Sequence, residues 1–207
     1  MKNLWLSNLL LLTILASCSG HRKLPCDGSE KASIPKTYFN KTTTTAKYKA
    51  DISIFGKHLS GILLIKFLND TTCNSVFLTV PGLKLFDLRL TPDSCHVNSC
   101  IAQLNKPGVL ATIEKNIRIF TMLDNYSDSM VCMKEGSYKG VIWRRNTFAG
   151  LYDVYQSTEG NIDRIEYFTK KMRKKIVLTA TDFDLTLPNT VNIRNKRIHL
   201  FIHLSQL

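Results

Sequence analysis

The fold is decided by residues 45–54, TAKYKADISI, and by residues 58–68, HLSGILLIKFL, which follow them. In the first segment apolar residues alternate with polar ones, which predicts a half-buried β-strand. A tight turn is predicted at Gly56-Lys57. The second segment also carries apolar residues on its second face, Ile62 and Leu64, which indicates an interior strand covered on both sides.

Three further strands are predicted before the middle of the chain, over Cys73–Val80, Leu83–Leu90 and Ser94–Cys100. Turn residues at 69–71 and 81–82 separate them. Connections this short join antiparallel neighbours, because parallel pairing needs a long crossover. The first half is therefore predicted to be an antiparallel meander.

The hydrophobic period then changes from two to that of a helix. Asn105 is a plausible N-cap, and Pro107 suits the first turn. Glu114 and Arg118 are four residues apart, in the order that stabilises a helix, and are expected on its polar side. The apolar stripe that must be buried against the meander consists of Leu110, Ile113, Ile117 and Phe120.

The second half returns to strands, with turns expected at 159–161, 188–189 and 195–196. The predicted strands are Val141–Arg145, Leu151–Gln156, Ile162–Phe168, Ile176–Thr181, Phe183–Leu187, Val191–Arg194 and Ile198–Leu204. The fold class is mainly β (α+β), with about eleven antiparallel strands. A closed barrel with an external helix is one arrangement. A strongly curved half-barrel, its concave face covered by the amphipathic helix, accounts better for the apolar surface of residues 59–67.

The N-terminal segment predicts export. A basic residue, a short apolar run over residues 4–15 and small residues before Cys18 form a secretory signal over residues 1–17. The last four residues, Leu15-Ala16-Ser17-Cys18, match a bacterial lipobox, so Cys18 is the expected lipidation site. The alternative is an ordinary signal peptide cut nearby. Ser19 favours outer-membrane sorting under the usual rule for lipoproteins.

Residues 18–36 are predicted to be a flexible tether, and residues 37–207 a single domain. His21, Arg22 and Lys23 would lie beside the membrane, where each basic residue contributes about 1 kcal/mol. The net charge of +12 suits an anionic surface or an acidic partner, although genomic bias would also produce it. Nucleic acid is not expected, since an exported lipoprotein would rarely meet it.

The cysteine count does not indicate a disulfide scaffold. Five cysteines remain after Cys18, an odd number: Cys26, Cys73, Cys95, Cys100 and Cys132. Cys95 with Cys100 is the closest pair for one optional bridge in an oxidising periplasm. Most of the others are expected to be free and buried.

Several short patterns carry a family resemblance. They are Ile-Phe-Gly (54–56), Leu-Ser-Gly-Ile-Leu-Leu-Ile-Lys (59–66), Pro-Gly-Leu-Lys-Leu-Phe-Asp-Leu (81–88), Gly-Leu-Tyr-Asp (150–153) and the final pair of strands. In this order they resemble the LolA/LolB-like superfamily, in particular a group of bacterial lipoproteins within it. The resemblance covers residues 40–207. It implies a half-barrel with helices as a lid over an apolar cavity that carries the acyl chains of lipoproteins.

Two sets of residues are candidate sites. The cavity would be lined by Tyr48, Ile52, Ile54, Leu63, Ile65, Ile113, Ile117 and Phe120, although the same residues could pack as an ordinary filled core. Membrane or partner contact is assigned to Leu83, which loosely matches the membrane-inserting leucine of LolB, and to Lys170, Lys171, Arg173, Lys174 and Lys175. The basic run could equally be a solvated hairpin tip.

No motif supports catalysis or a resident cofactor. The sequence lacks a Gly-x-Ser-x-Gly elbow, a phosphate loop and a His-Glu-x-x-His helix. Cys95, His96 and Cys100 match no zinc spacing, and His199 and His203 would lie too far apart on a strand. The sequence therefore predicts a non-enzymatic, monomeric periplasmic lipoprotein that binds acyl chains in an apolar cavity, as a carrier or acceptor in envelope lipid or lipoprotein traffic, with a periplasmic carrier as one expected partner. An interaction or scaffold subunit of an envelope complex is the alternative.

Overall fold

The computed structural model describes residues 23–26, 37–39, 45–54, 56–123, 130–147, 150–185, 187–196 and 198–207. One helix, α1 (Pro107–Thr121), and thirteen strands form in these residues. The strands are β1 (Lys23–Pro25), β2 (Thr45–Ile54), β3 (Lys57–Asn69), β4 (Thr72–Thr79), β5 (Lys84–Leu90), β6 (Cys95–Cys100), β7 (Met130–Glu135), β8 (Val141–Asn146), β9 (Leu151–Gln156), β10 (Ile162–Phe168), β11 (Lys174–Asp184), β12 (Leu187–Asn195) and β13 (Leu200–Gln206).

All thirteen strands belong to one curved, unclosed sheet in the order β1-β7-β8-β9-β10-β11-β12-β13-β2-β3-β4-β5-β6. Every neighbouring pair is antiparallel, as the short connections predicted. The last strand pairs with β2, where Leu204 lies opposite Ala50. The end of the chain therefore joins the two halves of the sheet, and β1 and β6 form its edges.

The predicted number of about eleven strands was too low, because two short strands were missed. Residues 23–25 and 130–135 lack a clear alternating pattern, and they form the short strands β1 and β7. The prediction also divided one strand in two at Asp182: β11 continues through this residue, and Phe183 lies opposite Pro188 of β12. The turn predicted at 188–189 is thus part of a ladder.

The alternation predicted for β2 is confirmed, because Ala46, Tyr48 and Ala50 are buried while the residues between them are exposed. The prediction that β3 is covered on both sides was wrong. Its residues Ile62 and Leu64 are only half-buried on the second face. They pair there with Leu78 and Val76 of β4, and these neighbours shield them from solvent only in part.

Helix α1 contains the whole predicted apolar stripe from Leu110 to Phe120, and Pro107 occupies its first turn. The predicted N-cap was wrong: Lys106 is the capping residue and makes no side-chain cap bond. The helix ends at Met122, whose left-handed backbone (φ 50°) lets its N–H bond to the Arg118 carbonyl. Residues 116–121 are buried, whereas residues 107–115 are exposed or half-buried, so only the C-terminal half lies in the core.

Four residues of the predicted tether, Lys23–Cys26, lie against the sheet. Lys23–Pro25 pair with β7 as an edge strand, and Cys26 forms a disulfide with Cys132. The suggested Cys95–Cys100 bridge was wrong, since both cysteines are free, as is buried Cys73. The predicted signal peptide and Cys18 lie outside the described residues.

Candidate functional site

One end of the sheet brings together features that are far apart in sequence. The antiparallel registers place the turn at residues 80–83, the segment 101–106 before α1, the turn at 169–173 and residues 198–199 at the same end. We call this end the rim. Helix α1 begins at the rim and runs over one face of the sheet towards the other end.

An apolar pocket of about 50 Å³ lies beneath the N-terminal half of α1. We call it the apolar pocket. Its lining is entirely hydrophobic, from the helix, the segment before it and strands β2 to β5 and β13: Ile52, Ile54, Leu59, Leu63, Phe77, Phe86, Leu104, Val109, Ile113, Ile117, Leu200, Ile202 and Leu204. Five of the eight predicted cavity residues, Ile52, Ile54, Leu63, Ile113 and Ile117, are among them.

The other three predicted cavity residues, Tyr48, Ile65 and Phe120, fill the space beneath the C-terminal half of α1. Phe120 contacts the ring of Tyr48, with the centroids 5.4 Å apart, and that of Phe39 at 5.3 Å. Tyr48 donates a hydrogen bond to the Pro188 carbonyl, and burial raises the pKa of its phenol. The structure thus divides the predicted set between a packed core and a void of about two water volumes.

A second, larger cleft of about 640 Å³ opens at the rim beside the N-terminal half of α1. We call it the basic cleft. It is lined by Lys106, Gly108, Val109, Ala111, Thr112, Lys115, Tyr167, Lys175, Ile176, Asn195 and Ile198. Three of these residues are lysines and none is acidic. Because Val109 lines both spaces, the basic cleft and the apolar pocket adjoin at this side chain.

Lys115 is held in place at the inner side of the basic cleft. Its ammonium group donates a hydrogen bond to the Tyr152 hydroxyl. It also lies 4.9 Å from the ring centroid of Tyr152 and 4.6 Å from that of Tyr167. Aromatic faces attract a cation, so the two rings fix the position of this charge. Sequence reasoning missed the role of Lys115, because its aromatic partners lie 37 or more residues away.

Arg118 attaches the C-terminal half of α1 to the β5–β6 turn. Its guanidinium donates to the carbonyls of Thr91 at 2.6 Å and Ser94 at 2.7 Å, and to Glu114 at 2.8 Å. The ion pair with Glu114 confirms the predicted spacing, but Arg118 is buried rather than on the solvent side. The space on this side of the helix has mixed charge and shares Ala111 and Lys115 with the basic cleft; it is lined by Pro92, Asp93, Ala111, Glu114, Lys115 and Arg118.

Leu83 lies on the exposed tip of the β4–β5 turn, together with Val80. Their side chains are 61% and 77% exposed. The turn is held by bonds from the Leu83 amide to the Thr79 hydroxyl and from the Gly82 amide to the Thr79 carbonyl. Gly82 has a φ of +90°, which favours glycine. An ordered turn therefore presents two aliphatic side chains to solvent.

The predicted basic run is only partly a hairpin tip. Residues 170–173 form the turn at the rim, and exposed Met172 lies among its charges. Lys174 and Lys175 already belong to β11. The ammonium of Lys174 lies 2.7 Å from the carboxylate of Glu166, and Lys175 lines the basic cleft. The five cations therefore have different surroundings.

A buried charge cluster lies on the opposite face of β8, β9 and β10. Asp153, fully buried, accepts hydrogen bonds from Arg144 at 2.7 Å and from Lys23 at 2.7 Å. Lys23 also donates to Tyr155 at 2.6 Å, and Tyr155 donates to Glu166 at 3.3 Å. We call these five residues the charge cluster. The expected membrane contact of Lys23 was wrong, because its ammonium is bound to Asp153.

Electrostatics in the charge cluster favour the ionised carboxylate. Burial alone would raise the pKa of Asp153, but the bonds from Arg144 and Lys23 lower it below its ordinary value of 3.8. The same Asp153 contact raises the pKa of Arg144. Sequence patterns gave no sign of the charge cluster, since Lys23 and Asp153 are 130 residues apart.

No group of three or more His, Cys, Asp or Glu side chains among the described residues could hold a metal ion. None of their helices is both long and apolar enough to cross a membrane. Burial raises the pKa of the Cys73 thiol to about 12, so this cysteine is not a ready nucleophile.

Comparison with known proteins shows the fold. A LolA superfamily protein from Nitrosomonas europaea superposes with a TM-score of 0.51 at 6% identity, over 82% of this chain and 86% of that one. A putative outer membrane lipoprotein-sorting protein domain from Vibrio parahaemolyticus gives 0.47 at 8% identity, over 78% and 82%. A DUF1329 family protein from Desulfovibrio piger gives 0.43 at 13% identity, over 80% and 85%.

No family model matches the sequence, and no curated protein matches it. The first of the three structures is similar enough to confirm the LolA/LolB-like fold that the short sequence patterns implied. At 6% identity the likeness concerns the fold alone.

Proposed function

We propose that this chain is a lipid-anchored protein of the bacterial envelope that binds acyl chains of lipids or lipoproteins between α1 and the sheet. Cys18 would carry the anchor, and the domain of residues 37–207 would face the periplasm from the outer membrane. Binding would be reversible burial with no bond made or broken. The LolA-like fold is consistent with this function.

The observation that supports the proposal is that the basic cleft beside α1 adjoins the apolar pocket beneath it. The basic cleft opens at the rim, and the apolar pocket continues beyond Val109 into a wholly hydrophobic interior. An acyl chain entering from the basic cleft would displace Val109 and reach Ile113. In this way the spaces would act as one binding channel.

A bound chain would require more room than the 50 Å³ of the apolar pocket, and the two halves of α1 suggest how room is made. The C-terminal half is held by Phe120 in the core and by Arg118 on the β5–β6 turn. The N-terminal half is exposed or half-buried, so separating it from the sheet removes fewer contacts. Burial of ten methylene groups contributes about 8 kcal/mol, which would offset such a tilt.

Mass spectrometry of the full chain, purified in a mild detergent, tests the proposal. The denatured mass reports covalent acyl groups on Cys18, and the additional mass under native conditions reports bound lipid. Val109→Trp should block the channel and lower the lipid-bound fraction severalfold. Val97→Trp, at the exposed edge strand β6, is the matched control and should leave it unchanged.

The alternative is a non-enzymatic interaction or scaffold subunit of an envelope complex. The observation that favours it is the small volume of the apolar pocket, which describes a nearly filled core. A native mass equal to the denatured mass, unchanged after incubation with phospholipid, would reject lipid binding and support this second function.

A further inference from the structure

We infer that, if acyl chains bind as proposed, the ligand is an anionic lipid whose phosphate-bearing headgroup binds in the basic cleft. The apolar pocket would accept the acyl chains of any lipid, since its lining carries no polar side chain. Selection would therefore come from the basic cleft, at the entrance of the same channel.

The charge balance of the basic cleft carries the inference. Lys106, Lys115 and Lys175 line it, and none of the described residues in the lining is acidic. Within the part of the chain that the structure describes, no carboxylate forms an ion pair with Lys106 or Lys175. Elsewhere cations near the helix are neutralised, as Arg118 is by Glu114. With Lys106 and Lys175 outside any such ion pair, the basic cleft carries a net positive charge that attracts an anion.

The geometry places these charges where a headgroup would lie. Lys106 precedes the helix and Lys175 begins β11, so they approach the basic cleft from two different elements. Lys115 lines the same cleft, where the rings of Tyr152 and Tyr167 hold its ammonium group. A phosphate in the basic cleft would contact cations from both walls, while its acyl chains pass Val109.

Photo-crosslinking of the full chain in non-ionic detergent tests this assignment. The probes are phosphatidylglycerol and phosphatidylcholine with the same diazirine-labelled acyl chain, so only the headgroup charge differs. Phosphatidylglycerol should label peptides containing Val109, Ile113 or Leu59 about tenfold more efficiently. Raising the salt from about 0.05 M to about 0.5 M should reduce this preference, because it screens the lysines.

Matched variants identify the source of the preference. Lys106→Gln with Lys175→Gln should lower phosphatidylglycerol labelling to the phosphatidylcholine level. The control, Lys49→Gln with Lys66→Gln, removes the same charge from exposed positions on the opposite face of the sheet and should leave labelling unchanged. Soluble glycerol 3-phosphate in equimolar amount should not displace the lipid, since it lacks the acyl chains.

The outcomes distinguish the preference for anionic lipids from the binding of acyl chains itself. Equal labelling by both lipids at the channel, or an equal loss in the control variant, overturns the anionic preference and leaves acyl-chain binding intact. Absence of labelling at the channel by either lipid rejects the proposed function itself. Displacement by equimolar glycerol 3-phosphate would mean that the basic cleft binds a free phosphate, which also overturns the inference.

Discussion

Two regions of this protein lie on opposite faces of the same sheet and differ in the kind of contact that holds each together. Beneath α1, the apolar pocket and its surroundings contain aliphatic and aromatic side chains. On the other face of β8 to β10, Asp153 of the charge cluster accepts hydrogen bonds from Lys23 and Arg144, and Glu166 accepts one from Tyr155. Apolar packing is non-directional, whereas a buried carboxylate requires particular partners.

The difference assigns distinct roles to the two faces. Apolar contacts need no particular partner, so the surface beneath α1 can accept a ligand in place of the side chains that cover it. The N-terminal half of α1, which is exposed or half-buried, lies over this surface. The charge cluster, fixed by bonds and by the Cys26–Cys132 disulfide next to β1, holds the N-terminal strand to the sheet. One face is therefore suited to binding and the other to attachment.

The largest expected effect is on the charge cluster. Asp153→Ala should lower the free energy of unfolding by about 3–5 kcal/mol, because it leaves Arg144 and Lys23 without their buried partner. Urea denaturation followed by circular dichroism measures the loss. Asp184→Ala, at an exposed position, should change stability by less than about 0.5 kcal/mol. Similar losses in the two variants would contradict the assigned role.

The second prediction compares the halves of α1. Phe120→Ala should cost about 3–5 kcal/mol, since it empties a site between Tyr48 and Phe39. Ile113→Ala should cost only about 1 kcal/mol, because Ile113 is half-buried over an existing void. Both values come from urea denaturation. Equal costs would show that the N-terminal half is as tightly packed as the C-terminal half.

The third prediction concerns the disulfide. Cys26→Ser with Cys132→Ser should lower stability by about 2–4 kcal/mol, since the bridge closes a sequence separation of 106 residues. Dithiothreitol should destabilise the wild type by the same amount and leave the double variant unaffected. If the reductant destabilises both proteins equally, the stabilisation does not come from this bridge.

The fourth prediction is a pH dependence. The pKa of Asp153 is lower in the folded protein than its ordinary 3.8. The stability that this carboxylate contributes is therefore fully present above about pH 3.8, and it is lost as the pH falls through the lower folded pKa. Wild-type stability should therefore fall faster below about pH 4 than that of Asp153→Asn, which cannot titrate there. Denaturation curves measured between about pH 2 and pH 7 check this, and parallel profiles would refute it.

The smallest effect on stability is expected at the rim. Leu83→Trp and Leu185→Trp should both remain within about 0.5 kcal/mol of the wild type, because both leucines are exposed. Leu185 lies on the β11–β12 turn at the opposite end of the sheet, which makes it a matched control. With the full chain in vesicles, brominated lipids should quench the fluorescence of the indole added in Leu83→Trp and should not quench that of the indole added in Leu185→Trp. Equal quenching at both positions would remove Leu83 as a membrane contact.

The strands with clear alternation were predicted well, and β2 was predicted with its bounds intact. Strands β1 and β7 were not predicted, because residues 23–25 and 130–135 are short segments fixed by pairing with each other and by a disulfide. Likewise, Pro188 indicates a turn locally but lies within β12, opposite Phe183. Long-range pairing overrode local turn signals at this position.

The candidate site was predicted only in part. Periodicity places five of the eight predicted residues on one face of the sheet and the other three on the apolar stripe of α1, but it does not distinguish a void from a packed core. That distinction depends on how Phe120 fits against Tyr48 and Phe39, which is a matter of volumes in three dimensions. The basic cleft was missed because Lys106, Lys115 and Lys175 are brought together only by the placement of α1 beside β11.

Sequence by itself determined the β2 and β3 strands, the antiparallel connections and the span of α1, because side-chain periodicity and short turns act over a few residues. Tertiary structure alone decided that Lys23 pairs with Asp153, that Cys26 joins Cys132, and that a basic cleft adjoins an apolar pocket at Val109. The physical reason is that the curved sheet brings together strands that are far apart in the sequence. A local sequence pattern carries no information about which distant strands become neighbours.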